Sequence, residues 1–330
     1  MGSSASPPSP PSSGFLDLFR RHAGPDGTLP FARFMALALY DPAVGYYRSD
    51  QMRVGYGAAT DFFTASTSGP VFGELLVAAI IQLLAGKAPH HFSFVEIGAE
   101  PGGGVLKGVV HPFAAVRTIG VGEPIELTGH SIVFSNELFD AQPFRRFVFR
   151  KNTWLELGVA LREGAFATVE LPTAAPPELP AGAPEGYVID APLAAADLTR
   201  EIAAQPWTGL FVACDYGKSW RELIEACPAG TARSYYRHTQ SNDLLARPGQ
   251  QDLTCHVCWD WLATALSEQG FTAPVVESQE AFFIHHAASY IAVTTEAEAA
   301  RFSQKKLTLL QLLHPAHLGQ KFQVLHARRD

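Results

Sequence analysis

Cysteine is scarce in this chain of 330 residues: there are four, and all fall in its later part. They are too few and too clustered to form a disulfide framework for a protein of this size, so the fold must be held by its core. No run is long and apolar enough to span a bilayer. The longest, Leu75–Ala85, is interrupted by Gln82 and is too short. Positive charge is not in excess either. A net charge of −7 argues against a surface that coats nucleic acid. The start is Ser/Pro-rich rather than basic and then apolar, so no secretory signal is read. Residues 1–13 are expected to be a disordered tail and the cytoplasm is the default compartment. G-x-S-x-G, Walker A and H-E-x-x-H are all missing, which weakens hydrolase and kinase readings. No internal repeat is visible.

What remains is a globular composition, 47% hydrophobic and 17% charged, enough to bury one large core or two. The stretch His91–Gly104, HFSFVEIGAEPGGG, is an apolar strand with Glu96 inside it, followed by Gly98, Gly102, Gly103 and Gly104. A strand, a glycine turn and a helix are how α/β proteins hold nucleotide-like ligands at the carboxyl edge of a parallel sheet. Taken alone, the irregular spacing allows an ordinary turn equally well. Ala115–Gly122 reads as a second strand ending at Glu123, and Ser131–Ser135 as a third ending at Asn136–Asp140. Gly209–Cys214 is another, tipped by Asp215-Tyr216-Gly217. A glutamate at the second tip can accept hydrogen bonds from both hydroxyls of a ribose, whether the cofactor is NAD or S-adenosylmethionine. Asn136, Glu137 and Asp140 can grip a guanidinium or orient an amine; they can equally cap a helix.

Around these strands the periodicity predicts helices over Phe15–His22, Pro30–Tyr40, Phe72–Leu84, Leu106–Val110, Leu193–Ala204, Trp220–Ala226, Trp259–Gln269 and about Glu296–Leu313, with a last strand near Lys321–His326. Alternation over Phe144–Leu171 reads as an antiparallel meander. The expected organisation is a tail (1–13), N-terminal helices with the first half of a core (14–143), a β-rich insertion (144–186) and the second half of the core (187–330). Cys255-His256-Val257-Cys258 looks like half of a zinc site, but no partner pair stands at metal spacing, so no metal is expected. His285-His286 and His314/His317 read as ordinary surface or core histidines.

Several stretches stand in order: PFARFMALALYDPAVGYY, DFFTAS with SGPVFGELL, FVEIGAEPGGG, SNELFDAQPFRRF, ACDYG, GTARSYYRHTQSNDLLARPGQQDLTCHV and HPAHLGQKFQVL. Together they resemble the MidA-like family of class I S-adenosylmethionine-dependent methyltransferases, whose mitochondrial members are complex I assembly factors that methylate a protein arginine. The resemblance implies an α/β, Rossmann-like methyltransferase sheet with helical N-terminal additions and a β-rich insertion. It implies S-adenosylmethionine as cofactor and a protein arginine as acceptor, with neither nucleic acid nor membrane as partner; a homodimer is allowed. By motif, Glu96, Gly98, Gly102, Glu123, Asp61 and Thr64 would bind cofactor. Asn136, Glu137 and Asp140, from a segment matching NExxDxxP, would hold the acceptor, with His256 and Asp252 helping to orient it. The chain departs from the family where Glu100-Pro101 replaces a glycine of the cofactor loop, and in a short link from Glu123 to Asn136. The alternative is therefore a member that has lost its cofactor and acts as a protein-binding or assembly factor.

Overall fold

A computed structural model describes residues 11–48, 69–172, 174–300 and 303–330. By contacts these fall into two units, each assembled from separate stretches of chain.

The first unit takes in residues 11–48, 141–194 and 220–256. Its N-terminal helices, Ser13–His22 and Phe31–Tyr40, bury Phe15, Phe19 and Phe34 against Phe144 and Val159. Phe15 and Phe34 meet edge to face at 5.6 Å, a favoured geometry for aromatic pairs. The expected meander forms: Arg145–Arg150, Thr153–Arg162 and Ala165–Leu171 pair antiparallel. It does not stand alone, because Thr28–Pro30 pairs with its middle strand and Val188–Ala191 with its first. Buried Asp190 holds this unit together. One of its oxygens accepts the backbone N–H groups of Thr231 and Ala232, and the other meets Arg146 Nε at 2.6 Å.

The second unit holds a six-stranded sheet: β1 (Ser93–Ile97), β2 (Ala115–Ile119), β3 (Gly129–Asn136), β4 (Trp207–Asp215), β5 (Thr272–Ser278) and β6 (Gln323–Arg329). The spatial order is β5-β6-β4-β3-β1-β2. The last four in that order run parallel, while β6 and β5 are antiparallel additions. Phe94, Ile132, Phe134 and Val212 bury one face under the helix Pro70–Leu83. Val95, Val133, Phe211 and Leu325 bury the other with Trp259 and Leu262. Strands covered on both faces read as continuous apolar runs, which is why they were legible.

Two sequence expectations fail here. Leu106–Val110 is a pair of turns rather than a helix: Gly108 turns left-handed (φ +75°) and Pro112 follows too soon for a helix to propagate. The long C-terminal helix is instead two, Ala288–Ala297 and Gln304–Leu313, and the strand Thr272–Ser278 and helix Gln279–His286 were not anticipated. Among the described residues no helix is long and apolar enough to cross a membrane.

The parallel register depends on a close approach at Gly209. Its φ is +128°, and a Cβ there would lie 2.2 Å from the Ser131 carbonyl oxygen of the neighbouring strand. Gly209→Ala should therefore destabilise the fold by about 3 kcal/mol, measured by urea unfolding; an unchanged midpoint would contradict this packing.

Candidate functional site

The register brings four strand tips to one edge of the second unit. Ile97 pairs with Ile119 and Ser135, and Asn136 pairs with Cys214. Gly120, Gly98, Asn136 and Asp215 therefore follow one another along the carboxyl edge of the parallel strands, where ligands bind in open α/β sheets.

At the first tip, Glu96 shares the face of Phe94 and is buried. Its Oε2 accepts the Val105 N–H at 2.7 Å, which ties the loop back to the strand. Burial raises its pKa from 4.5 to about 7, against the smaller effect of that hydrogen bond. Gly98 has φ +85°, and a Cβ there would press on Leu138 at 3.0 Å. The altered loop is a closed turn. Gly103 N–H donates to the Glu100 carbonyl at 2.8 Å, Pro101 takes the second position, and Gly102, at φ +66°, takes the third. Proline and then a left-handed glycine is the signature of a type II turn. Glu100-Pro101 thus builds a different turn rather than spoiling the old one. Open space lies where a Gly102 Cβ would be.

At the second tip, Glu123 Oε2 accepts the Gly120 N–H at 2.9 Å. One bond leaves a carboxylate with further lone pairs, so Glu123 can still serve hydroxyls. The short link to β3 is anchored by Leu127, which is buried, and by Ile125 packed against the same core.

At the third tip, Glu137 is held left-handed at φ +53°, a costly conformation for a residue with a side chain. Its N–H donates to the Cys214 carbonyl at 2.9 Å, adding one more bond to the β3–β4 ladder. Asn136 Nδ2 donates to Glu137 Oε1 at 2.9 Å, while Asn136 Oδ1 is buried and accepts no hydrogen bond among the described residues. Asp140 is buried beyond the bend.

The fourth tip holds a residue whose role sequence reasoning missed. Asp215 is fully buried, and its Oδ2 accepts the backbone N–H groups of Phe139 at 2.9 Å and Asp140 at 3.2 Å. Its Oδ1 accepts the N–H of Tyr216 at 2.8 Å. Burial pushes its pKa up and these donors oppose that. Asp215 fixes the path of the Asn136–Asp140 bend. The available signal was its place as a polar tip on an apolar strand.

Asn136, Glu137, Asp140, Glu96, Gly98, Gly102 and Glu123 all lie in this second unit. His256 belongs to the first, where its N–H donates to Thr231 Oγ1 at 3.1 Å. Asp252, in the same unit, accepts the Tyr47 hydroxyl at 2.9 Å. Asp61 and Thr64 lie outside the described residues. The cysteines form no disulfide, and Cys214 and Cys258 are buried thiols, the latter pushed up by burial to about 12.

Comparison with known proteins bears on this arrangement. Residues 121–276 match the profile of a family described as "Putative S-adenosyl-L-methionine-dependent methyltransferase". A COG1565 superfamily member from Burkholderia thailandensis, crystallised with S-adenosyl-homocysteine, superposes with a TM-score of 0.85 at 25% identity over 98% of this chain and 95% of that one. The chain is thus similar to the MidA-like, COG1565 methyltransferases, over nearly its whole length in the solved structure and over residues 121–276 in the family profile. A native crystal structure from the same organism and superfamily gives a TM-score of 0.80 with the same identity and coverage. The Danio rerio protein arginine methyltransferase NDUFAF7, mitochondrial, is 25% identical over 305 residues, 74% of this chain and 69% of that protein. The fold is thus that of a class I methyltransferase, with a mixed sheet and N-terminal helices, and the cofactor of the family is S-adenosylmethionine. The residues present fit such a group: a glycine turn with open space at Gly102, and the Glu123 carboxylate at the neighbouring tip.

Glu96 makes a testable contribution to stability. Its folded pKa is raised, so the native state binds the extra proton and stability falls as pH climbs from about 4.5 through 7. Glu96→Gln should remove up to roughly 3 kcal/mol of that slope. Urea unfolding at both ends of the window should show the variant gaining on the wild type as pH rises; parallel curves would refute a strained carboxylate.

Proposed function

We propose that the protein transfers a methyl group from S-adenosylmethionine to an arginine side chain of a protein. The carrying observation is the bend Asn136–Asp140, where two carboxylic residues and an amide are fixed at the carboxyl edge by Asp215. A strained residue held in place by its surroundings is a common mark of a functional site. Arginine as the acceptor is further supported by the name of the zebrafish relative, and cofactor use by the Burkholderia complex.

Bound at the glycine turn, the cofactor supplies an electrophilic methyl on a sulfonium. The chain supplies position and electrostatics. Glu123 accepts the ribose hydroxyls. The backbone at Gly102 allows close approach, since nothing lies within 4 Å of where its Cβ would be. Glu137 and Asp140 would hold a guanidinium through charge-assisted hydrogen bonds, and one of these carboxylates would accept the proton that the attacking nitrogen loses, so that the methylated side chain stays a single cation. The Asn136 amide oxygen is an additional acceptor for a guanidinium N–H. His256 has no part in this proposal.

Calorimetry with S-adenosylhomocysteine is expected to show saturable binding, weakened about tenfold in Glu123→Ala. With an arginine-bearing acceptor and radiolabelled cofactor, Glu137→Gln should lower kcat by about a hundredfold and leave cofactor binding intact. Failure to bind would select the cofactor-free assembly factor instead. Binding together with transfer to another residue type would overturn the arginine assignment alone.

A further inference from the structure

A second polar cluster lies on the antiparallel side of the same sheet, on β5 and β6, beyond the strand that ends at Asp215. Glu277 stands near the end of β5, and the helix Gln279–His286 begins at once, capped by the Ser278 hydroxyl. That helix returns His285 and His286 in its last turn. His326 arrives from β6, where it pairs with Val275. Val275 and Glu277 are two apart on one strand, so Glu277 and His326 share a face.

All three imidazoles converge on one carboxylate. His286 Nε2 lies 3.0 Å and His326 Nε2 3.2 Å from Glu277 Oε2, while His285 Nδ1 lies 2.5 Å from Oε1. The rings of His286 and His326 sit with centroids 5.2 Å apart. Glu277 and His286 are largely buried and His326 is buried, whereas His285 is more than half exposed. A single carboxylate can neutralise one imidazolium, and three rings gathered on it are more than an ion pair requires.

Donor atoms from Glu277, His286 and His326 all lie within 4.8 Å of one another. Zinc bonds of about 2.0–2.1 Å to nitrogen and oxygen give a tetrahedron with edges of roughly 3.3 Å. The two oxygen–nitrogen separations, 3.0 and 3.2 Å, are close to that edge, and the nitrogen pair lies within the 4.8 Å span of the cluster. We propose that Glu277, His286 and His326 form a zinc site that clips the antiparallel edge of the sheet to the helix Gln279–His286. The ligands are Glu277 Oε2 and the two Nε2 atoms, which requires both rings to carry their proton on Nδ1. Water completes the tetrahedron on the solvent side. His285 acts as an outer partner, holding Oε1 and so orienting the carboxylate. Two nitrogens and one oxygen suit zinc better than calcium or magnesium, which take oxygen ligands.

This inference does not depend on the methyl-transfer reading, and neither does its test. The purified full chain is dialysed against zinc chloride, and bound metal is counted by mass spectrometry. About one zinc per chain is expected, with a rise of a few degrees in the thermal midpoint. Glu277→Gln keeps the size of the side chain and some of its hydrogen bonding, and should weaken zinc binding by at least about tenfold while leaving the circular dichroism unchanged. His286→Gln should do the same and abolish the visible absorption of a tetrahedral cobalt derivative. Cys255→Ser should bind zinc like the wild type. No retained zinc, or equal retention in Glu277→Gln and His286→Gln, would overturn the proposal.

Discussion

One buried carboxylate sets the geometry of the candidate site. Asp215 ends a strand that is apolar from Gly209 to Cys214, and its carboxylate turns sideways onto the N–H groups of the Asn136–Asp140 bend. Backbone N–H groups in an interior must find acceptors. Here they find one from a neighbouring strand, which couples two strand tips far apart in sequence. The left-handed backbone of Glu137 is tolerable because that bend is held at both ends, by the Cys214 carbonyl before it and by Asp215 after it. Removing the carboxylate would free the bend rather than merely delete a charge.

The loop after β1 closes through a turn set by its own residues. Glu100-Pro101-Gly102-Gly103 supplies the residues that a type II turn favours, in the order it favours them. The turn thus comes from local chemistry. Glu96 then fastens the far end of the loop by accepting the Val105 N–H, replacing the helix that Gly108 and Pro112 prevent.

Much of the second unit's sheet was legible because its strands are apolar runs bounded by glycine or by polar tips. The residues singled out at those tips were readable as strand ends, but their common edge is a product of register, which a single sequence does not display. Asp215 was visible as a tip and invisible as an anchor, since its partners lie some seventy positions away. Glu277 and its histidines were unreadable for a related reason. Pro274 breaks the alternation of β5, and His326 comes from a strand far along the chain. In the first unit, Thr28–Pro30 is too short to announce itself beside the meander it completes.

The place of β6 governs how this protein can be made. Residues 323–329 lie between β4 and β5 in the sheet, and Arg329 donates to the carbonyls of Ala203, Gln205 and Gln269. During synthesis, β4 must wait more than a hundred residues for its neighbour, with one row of backbone groups unpaired. Closure of the sheet is therefore a late event, and a ribosome halted before residue 323 leaves an open edge prone to aggregation.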